Sequence, residues 1–184
     1  MLSRFRLSGV PVAAVLVSMV LFADTPCACD PAQPESMKER QCSLCGEAEK
    51  QPPGTAVFFL KDANPRKANR TLALPRQHAP GLHSLSSLSE TARVELWTAA
   101  IAKAKEVWGD DWAVAYNGDR VRTQCHTHIH IGKLLPGVEA GEFVVIASPA
   151  EIVPKPGEGV WIHPADGKMH MHTGEQICET VLLR

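Results

Sequence analysis

"RTQCHTHIHIGKLL", residues Arg122 to Leu135, decides the fold. His126, His128 and His130 take alternate positions, and Cys125, Thr127, Ile129 and Ile131 fill the gaps. A period of two is the repeat of a β-strand, whose side chains point alternately to opposite faces. The stretch "QCHTHIHIG" therefore predicts a strand with three imidazoles on one face and Cys125, Thr127, Ile129 and Ile131 on the other. Such a row has three physical uses. Neutral rings two residues apart can chelate a metal. A ring nitrogen can attack phosphorus and form a covalent intermediate that water hydrolyses. Or the row simply faces solvent. The third histidine and the apolar opposite face weigh against the last reading.

The segments around the row predict an antiparallel sheet. "TAVFFLKD" (55–62) has the β-branched and aromatic content of a strand. "RTLALP" (70–75) reads as its return after the loop "ANPRKAN", so the two form a hairpin. Ser89 is an N-cap with Glu90 in the first turn, and Gly109 stands past the end. Val94, Trp97, Ile101, Ala104 and Trp108 recur at helical steps between them, and the two tryptophans read as core. "DWAVAYN" (111–117) predicts a strand, followed by the turn signal Asn117-Gly118-Asp119. "EFVVIA" (142–147) predicts another, and "SPAEIVPKPGEG" a loop. "VWIHPADGKMHMH" (160–172) reads as strand, Asp-Gly turn, strand. "ICETVLL" (177–183) reads as a closing strand. One long helix among short antiparallel strands is an α+β domain, expected over 42–184 with a C-terminal β extension.

Composition excludes some classes. Of the 184 residues, 45% are hydrophobic and 21% charged, an ordinary globular balance. Net charge is −1 and aromatics are 5%, so neither a basic nucleic-acid surface nor a base-stacking platform is expected. Arg4 and Arg6 precede the uncharged apolar run Gly9 to Ala23, which reads as a signal peptide or N-terminal anchor ending near residue 28. "DPAQPESMKERQ" reads as a linker or a surface lead-in, with the linker placed over 29–41. The expectation is an exported protein, periplasmic or held at a membrane and facing out of the cytoplasm. Six cysteines in such a chain suggest disulfides. Cys42-x-x-Cys45 also has the spacing of a redox pair or half a zinc site.

The ordered set of motifs resembles the histidine triad (HIT) superfamily. His126-Thr127-His128-Ile129-His130-Ile131 is similar to its triad. "FFLKDANPRKANRTLALPRQHAPGLHSLSSLS" resembles its first hairpin, basic-x-His segment and helix start. "YNGDRVRTQ" sits where the family has an Asn-rich, phosphate-contacting loop. The resemblance covers roughly residues 42–135. "RTQCHTHIHIGKL" and "VFFLKD" resemble segments of one branch, the CDP-diacylglycerol pyrophosphatases, in which glutamine generally replaces His126.

The resemblance implies a HIT-like antiparallel sheet with one long helix packed on it. It implies His128 as the nucleophile on a phosphoanhydride phosphorus, with a backbone carbonyl fixing its tautomer, and His130 at the phosphate. Asn117, Arg122, Thr123 and Gln124 become the substrate-binding set, Arg122 neutralising phosphate through its planar fork. The implied substrate is a nucleotide-containing small molecule or a nucleotide-linked lipid, with CDP-diacylglycerol giving CMP and phosphatidate the sharpest choice. Soluble dinucleotides, nucleotide sugars and phosphoramidates are the alternative. Zinc-containing relatives such as the galactose-1-phosphate uridylyltransferases further imply a structural zinc on Cys42, Cys45, His78 and His126; a disulfide competes with it in an exported chain. A membrane surface and a second copy of the chain stay open as partners. From another class, eight histidines and six cysteines also fit an exported metal-binding protein without catalysis. His83 reads as a surface residue or one leading into the helix. His163, His170 and His172 read as structural or rim residues, or as a second metal site.

Overall fold

A computed structural model describes residues 27–78, 83–138 and 141–184. The leader expected over 1–28 lies outside them except for Cys27 and Ala28. The described chain is α+β: one antiparallel seven-stranded sheet with a long helix packed on it. The strands are β1 (Val57–Lys61), β2 (Thr71–Pro75), β3 (Trp112–Tyr116), β4 (Ile129–Lys133), β5 (Val144–Ile146), β6 (Val160–Ala165) and β7 (Lys168–Thr173). Their order in the sheet is β1-β2-β4-β3-β6-β7-β5.

Local chemistry explains the elements. β1 and β2 form the expected hairpin, Val57 opposite Pro75 through Lys61 opposite Thr71. The β6–β7 hairpin turns at Asp166 and Gly167, whose φ values of 48° and 74° are the pair a tight primed turn demands. A short helix α1 (Ser43–Glu49) precedes the sheet. The long helix α2 (Glu90–Trp108) starts where the Ser89 hydroxyl accepts the Ala92 N–H at 3.2 Å, and it stops at Gly109, with φ 54°.

Helix α2 buries Leu96, Trp97, Ala100, Ile101 and Ala104 against Ala73, Val114, Ile129, Ile131 and Ile162. Val94 and Trp108, expected in that stripe, are only half-buried. On the opposite sheet face Ala113, Ala115 and Gly132 leave room for the C-terminal segment. Cys178, Val181 and Leu182 pack there against Ala113, Ala115 and Trp161.

Three expectations are corrected. β4 begins only at Ile129, and residues 122–128 are irregular. Their partner is the N-terminal segment, not a strand: the Cys125 N–H donates to the Gln41 carbonyl at 2.8 Å, and Cys125 is bonded to Cys27. Second, "ICETVLL" is not a strand; Cys178–Val181 is a 3-10 turn. Only its end pairs in β fashion, Leu182 bridging Leu134, while side chains take other backbone groups: Asn117 Oδ1 accepts the Glu179 N–H and Arg70 donates to the carbonyls of Leu182 and Leu183. Third, 29–41 is not a free linker. A Cys29–Cys42 disulfide closes it, Cys29 is fully buried, and 3-10 turns occupy Ser36–Lys38 and Arg40–Cys42. Among the described residues no helix is long and apolar enough to cross a membrane.

Gly159 sits where the chain doubles back on itself. A Cβ there would meet the Glu175 carbonyl and, at 2.7 Å, Cys178 Sγ. Gly159→Ala is expected to lower stability by about 1–3 kcal/mol, the usual cost of overpacking. The urea midpoint measures this.

Candidate active site

β4 and its lead-in deliver the three histidines to two places. His128 and His130 line a cavity of about 530 Å³. Their rings meet edge to face at 4.9 Å between centroids. His126 instead lies 5.6 Å from the ring of His78.

His128 has its tautomer fixed. Its Nδ1 is 2.8 Å from the His126 carbonyl, which can only accept, so Nδ1 carries the proton and Nε2 the lone pair. Burial pushes its pKa down to about 4, against the raising effect of that hydrogen bond, so the ring is neutral at pH 7. A neutral ring with one free lone pair is what nucleophilic attack requires. Burial, with His128, Lys67 and Arg70 nearby, also holds His130 well below the usual range. Its Nδ1 makes no hydrogen bond; the carboxylates of Glu179 and Asp62 stand 3.6 and 3.9 Å away.

The four residues expected to bind substrate all line this cavity. Three of them also brace the protein. Arg122 donates through Nη1 to the His83 carbonyl at 2.6 Å and pairs through Nη2 with Asp119 at 2.8 Å. Gln124 donates to the Arg40 carbonyl and accepts from Ser43 Oγ, tying α1 to the wall. Asn117 Oδ1 accepts from the Glu179 backbone. Thr123 completes the set.

Among the lining residues that escaped the sequence reading, Glu179 stands nearest the histidine pair's charge network. Glu179, on the C-terminal turn, pairs with Arg70 at 2.8 Å and with Lys67. Its only sequence signal is an acid inside an apolar run.

The second place is a cluster of metal-ligand types. Cys45, His78 and His126 each offer an atom within 4.8 Å of the others. His126 Nε2 donates to the Pro75 carbonyl at 2.7 Å, leaving Nδ1 buried without a partner. His78 Nδ1 faces Glu49 at 3.2 Å, leaving Nε2 in the same condition. Acceptors on the far nitrogens free the near ones for a cation, the arrangement that orients ligating histidines. The donor set therefore fits a metal ion. Burial pushes the Cys45 thiol up to about 11, which a bound cation would reverse.

Cys42, expected as the fourth ligand, is bonded to Cys29 instead, so of Cys42-x-x-Cys45 only Cys45 keeps a free thiol. Cys29, Cys42 and Cys125 also converge within 4.8 Å, but disulfides engage all three. His83 is buried, not a surface residue, and its ring lies 5.7 Å from that of His78. His163 and His172 face each other, Nε2 to Nε2, at 3.2 Å, while Trp161 stacks on His172 and Phe143 on His170. Their stacking fits the structural reading.

No protein-family model matches the chain, and no curated protein matches it.

Peptide mapping without reduction is expected to find Cys27 linked to Cys125 and Cys29 linked to Cys42. Burial pushes the Cys178 thiol up to about 12, helped by Glu175 and Glu158. Since the thiolate is the reactive form, iodoacetamide at pH 8 should label Cys178 only after unfolding. Rapid labelling of the native protein would contradict the buried placement.

Proposed function

We propose that this protein is a HIT-type hydrolase of nucleotide-containing phosphoanhydrides, exported from the cytoplasm. The observation that carries the reading is His128: a buried, neutral imidazole on the cavity wall, its proton committed to the His126 carbonyl and its Nε2 lone pair left for chemistry. In the proposed reaction Nε2 attacks the α-phosphorus and the P–O bond to the leaving phosphate breaks. Water then attacks the phosphorus, the P–N bond breaks, and His128 is regenerated. CDP-diacylglycerol, yielding CMP and phosphatidate, is the proposed substrate. Soluble dinucleotides, nucleotide sugars and phosphoramidates are the alternative that a substrate panel separates from it. Two disulfides suit an oxidising compartment, which supports the exported setting.

His128→Ala is expected to lower turnover of CDP-diacylglycerol vesicles by roughly 10³-fold or more, the scale seen when a nucleophile is removed. Quenching the active protein in alkaline denaturant, where a P–N bond survives, should trap a nucleotidyl-histidine on His128. Retained turnover in the variant would reject the covalent route.

Zinc is the ion we propose for Cys45, His78 and His126, because it accepts mixed sulfur and nitrogen donors. When bound it would serve structure, pinning α1 and the end of β2 to the histidine segment. His78→Ala should reduce zinc per chain and lower the melting temperature. A wild-type protein without zinc after chelator-free purification would remove the ion from the reading. A second reading, metal binding without catalysis, draws on the same three residues; it predicts bound metal and no nucleotide turnover.

A further inference from the structure

The C-terminal segment reaches back across the sheet to the histidines. Arg70, 2% exposed, holds it by donating to the carbonyls of Leu182 at 2.5 Å and Leu183 at 3.2 Å, and by pairing with the Glu179 carboxylate at 2.8 Å. Lys67 pairs with the same carboxylate, and Asn117 accepts the Glu179 backbone N–H at 2.9 Å. Glu179 is thus fixed at both its main chain and its side chain, on the wall of the cavity that His128 and His130 line.

The group it faces is incomplete. His130 Nδ1 is buried and makes no hydrogen bond, with Glu179 Oε2 3.6 Å away. A carboxylate can only accept, so an imidazole nitrogen facing it favours the protonated form of that nitrogen. Asp62, at 3.9 Å, adds charge of the same sign. With the proton held on Nδ1, the other nitrogen of a neutral ring carries the lone pair.

We propose that Glu179 is a positioning residue of the histidine site: its carboxylate holds the Nδ1 proton of His130 and so presents His130 Nε2 as a base. This rests on the hydrolase reading above. In the second half of that reaction, the water oxygen bonds to phosphorus and the P–N bond to His128 breaks. The water proton passes to His130 Nε2, and the resulting imidazolium sits against Glu179 and Asp62. Buffer then removes that proton, returning the neutral ring. The logic is that of a carboxylate orienting a catalytic histidine.

The test begins with nitrogen-15 NMR of the histidine rings in the full chain, His130 being assigned by its loss in His130→Asn. The wild type is expected to carry the His130 proton on Nδ1. That Nδ1–H signal is expected to shift in Glu179→Gln, which keeps the shape and removes the charge, and to change less in Asp62→Asn. A wild-type proton on Nε2, or a His130 signal unchanged in Glu179→Gln, overturns the proposal. So does a shift confined to Asp62→Asn. If Glu179→Gln does not fold, the wild-type tautomer and Asp62→Asn still decide.

On CDP-diacylglycerol vesicles, Glu179→Gln should lower kcat by roughly 10- to 100-fold, within the range of general-base effects. KM should stay within about twofold, and the histidine adduct should accumulate. A fall in KM affinity with unchanged kcat would overturn the role. Absence of turnover in the wild type would sink the hydrolase reading, while the NMR result would still report on Glu179 and His130.

Discussion

Ile129 and Ile131 bury themselves against α2, and the placement of His130 follows from that contact. Side chains alternate along a strand, so placing those two isoleucines in the core sends His130 to the other face. Each buried isoleucine contributes about 1.5–3 kcal/mol, more than a typical net hydrogen bond. A slip of one residue would bury the histidine under α2 and expose both isoleucines to the cavity. Pairing on both sides secures the register, with His130 opposite Leu72 of β2 and opposite Ala115 of β3. The polar geometry of the site is set by apolar packing.

A second constraint is charge. Arg70 and Arg122 are both almost fully withdrawn from water, and a buried guanidinium is tolerable only with its donors satisfied. Arg70 finds Glu179 and two carbonyls of the C-terminal segment. Arg122 finds Asp119 and the carbonyls of His83 and Cys125. Each arginine therefore recruits a segment distant in sequence and holds it at the cavity edge. The cations of the wall are paired with carboxylates of the protein itself.

The long helix, both hairpins and the α+β class were legible because caps, turn residues and periodicity are local signals. Ser89, Gly109 and the Asp166-Gly167 turn each specify structure within a few residues. The convergence of His78 and His126 was legible through the family resemblance. What escaped depends on long-range pairing. The period of two over 122–128 is real in the sequence, yet Cys125 spends its backbone and sulfur on the N-terminal segment. Cys42 could not be separated from Cys45 by spacing, because disulfide connectivity is not encoded locally. Glu179 looked like a strand residue, and only the three-dimensional position of Arg70 explains why an acid stands there.

The Cys27–Cys125 bond also carries an order of assembly. The Cys29–Cys42 loop spans 13 residues and can close as soon as its short segment is made, whereas Cys27 must wait for a partner 98 residues later. In an oxidising compartment the nearer cysteines are the first available to each other. The final pairing therefore becomes accessible only once β1 to β3 and α2 have emerged, immediately before the histidine segment itself. That last bond ties Cys27 to Cys125, the residue next to His126, so the beginning of the described chain is tethered directly to the histidine segment.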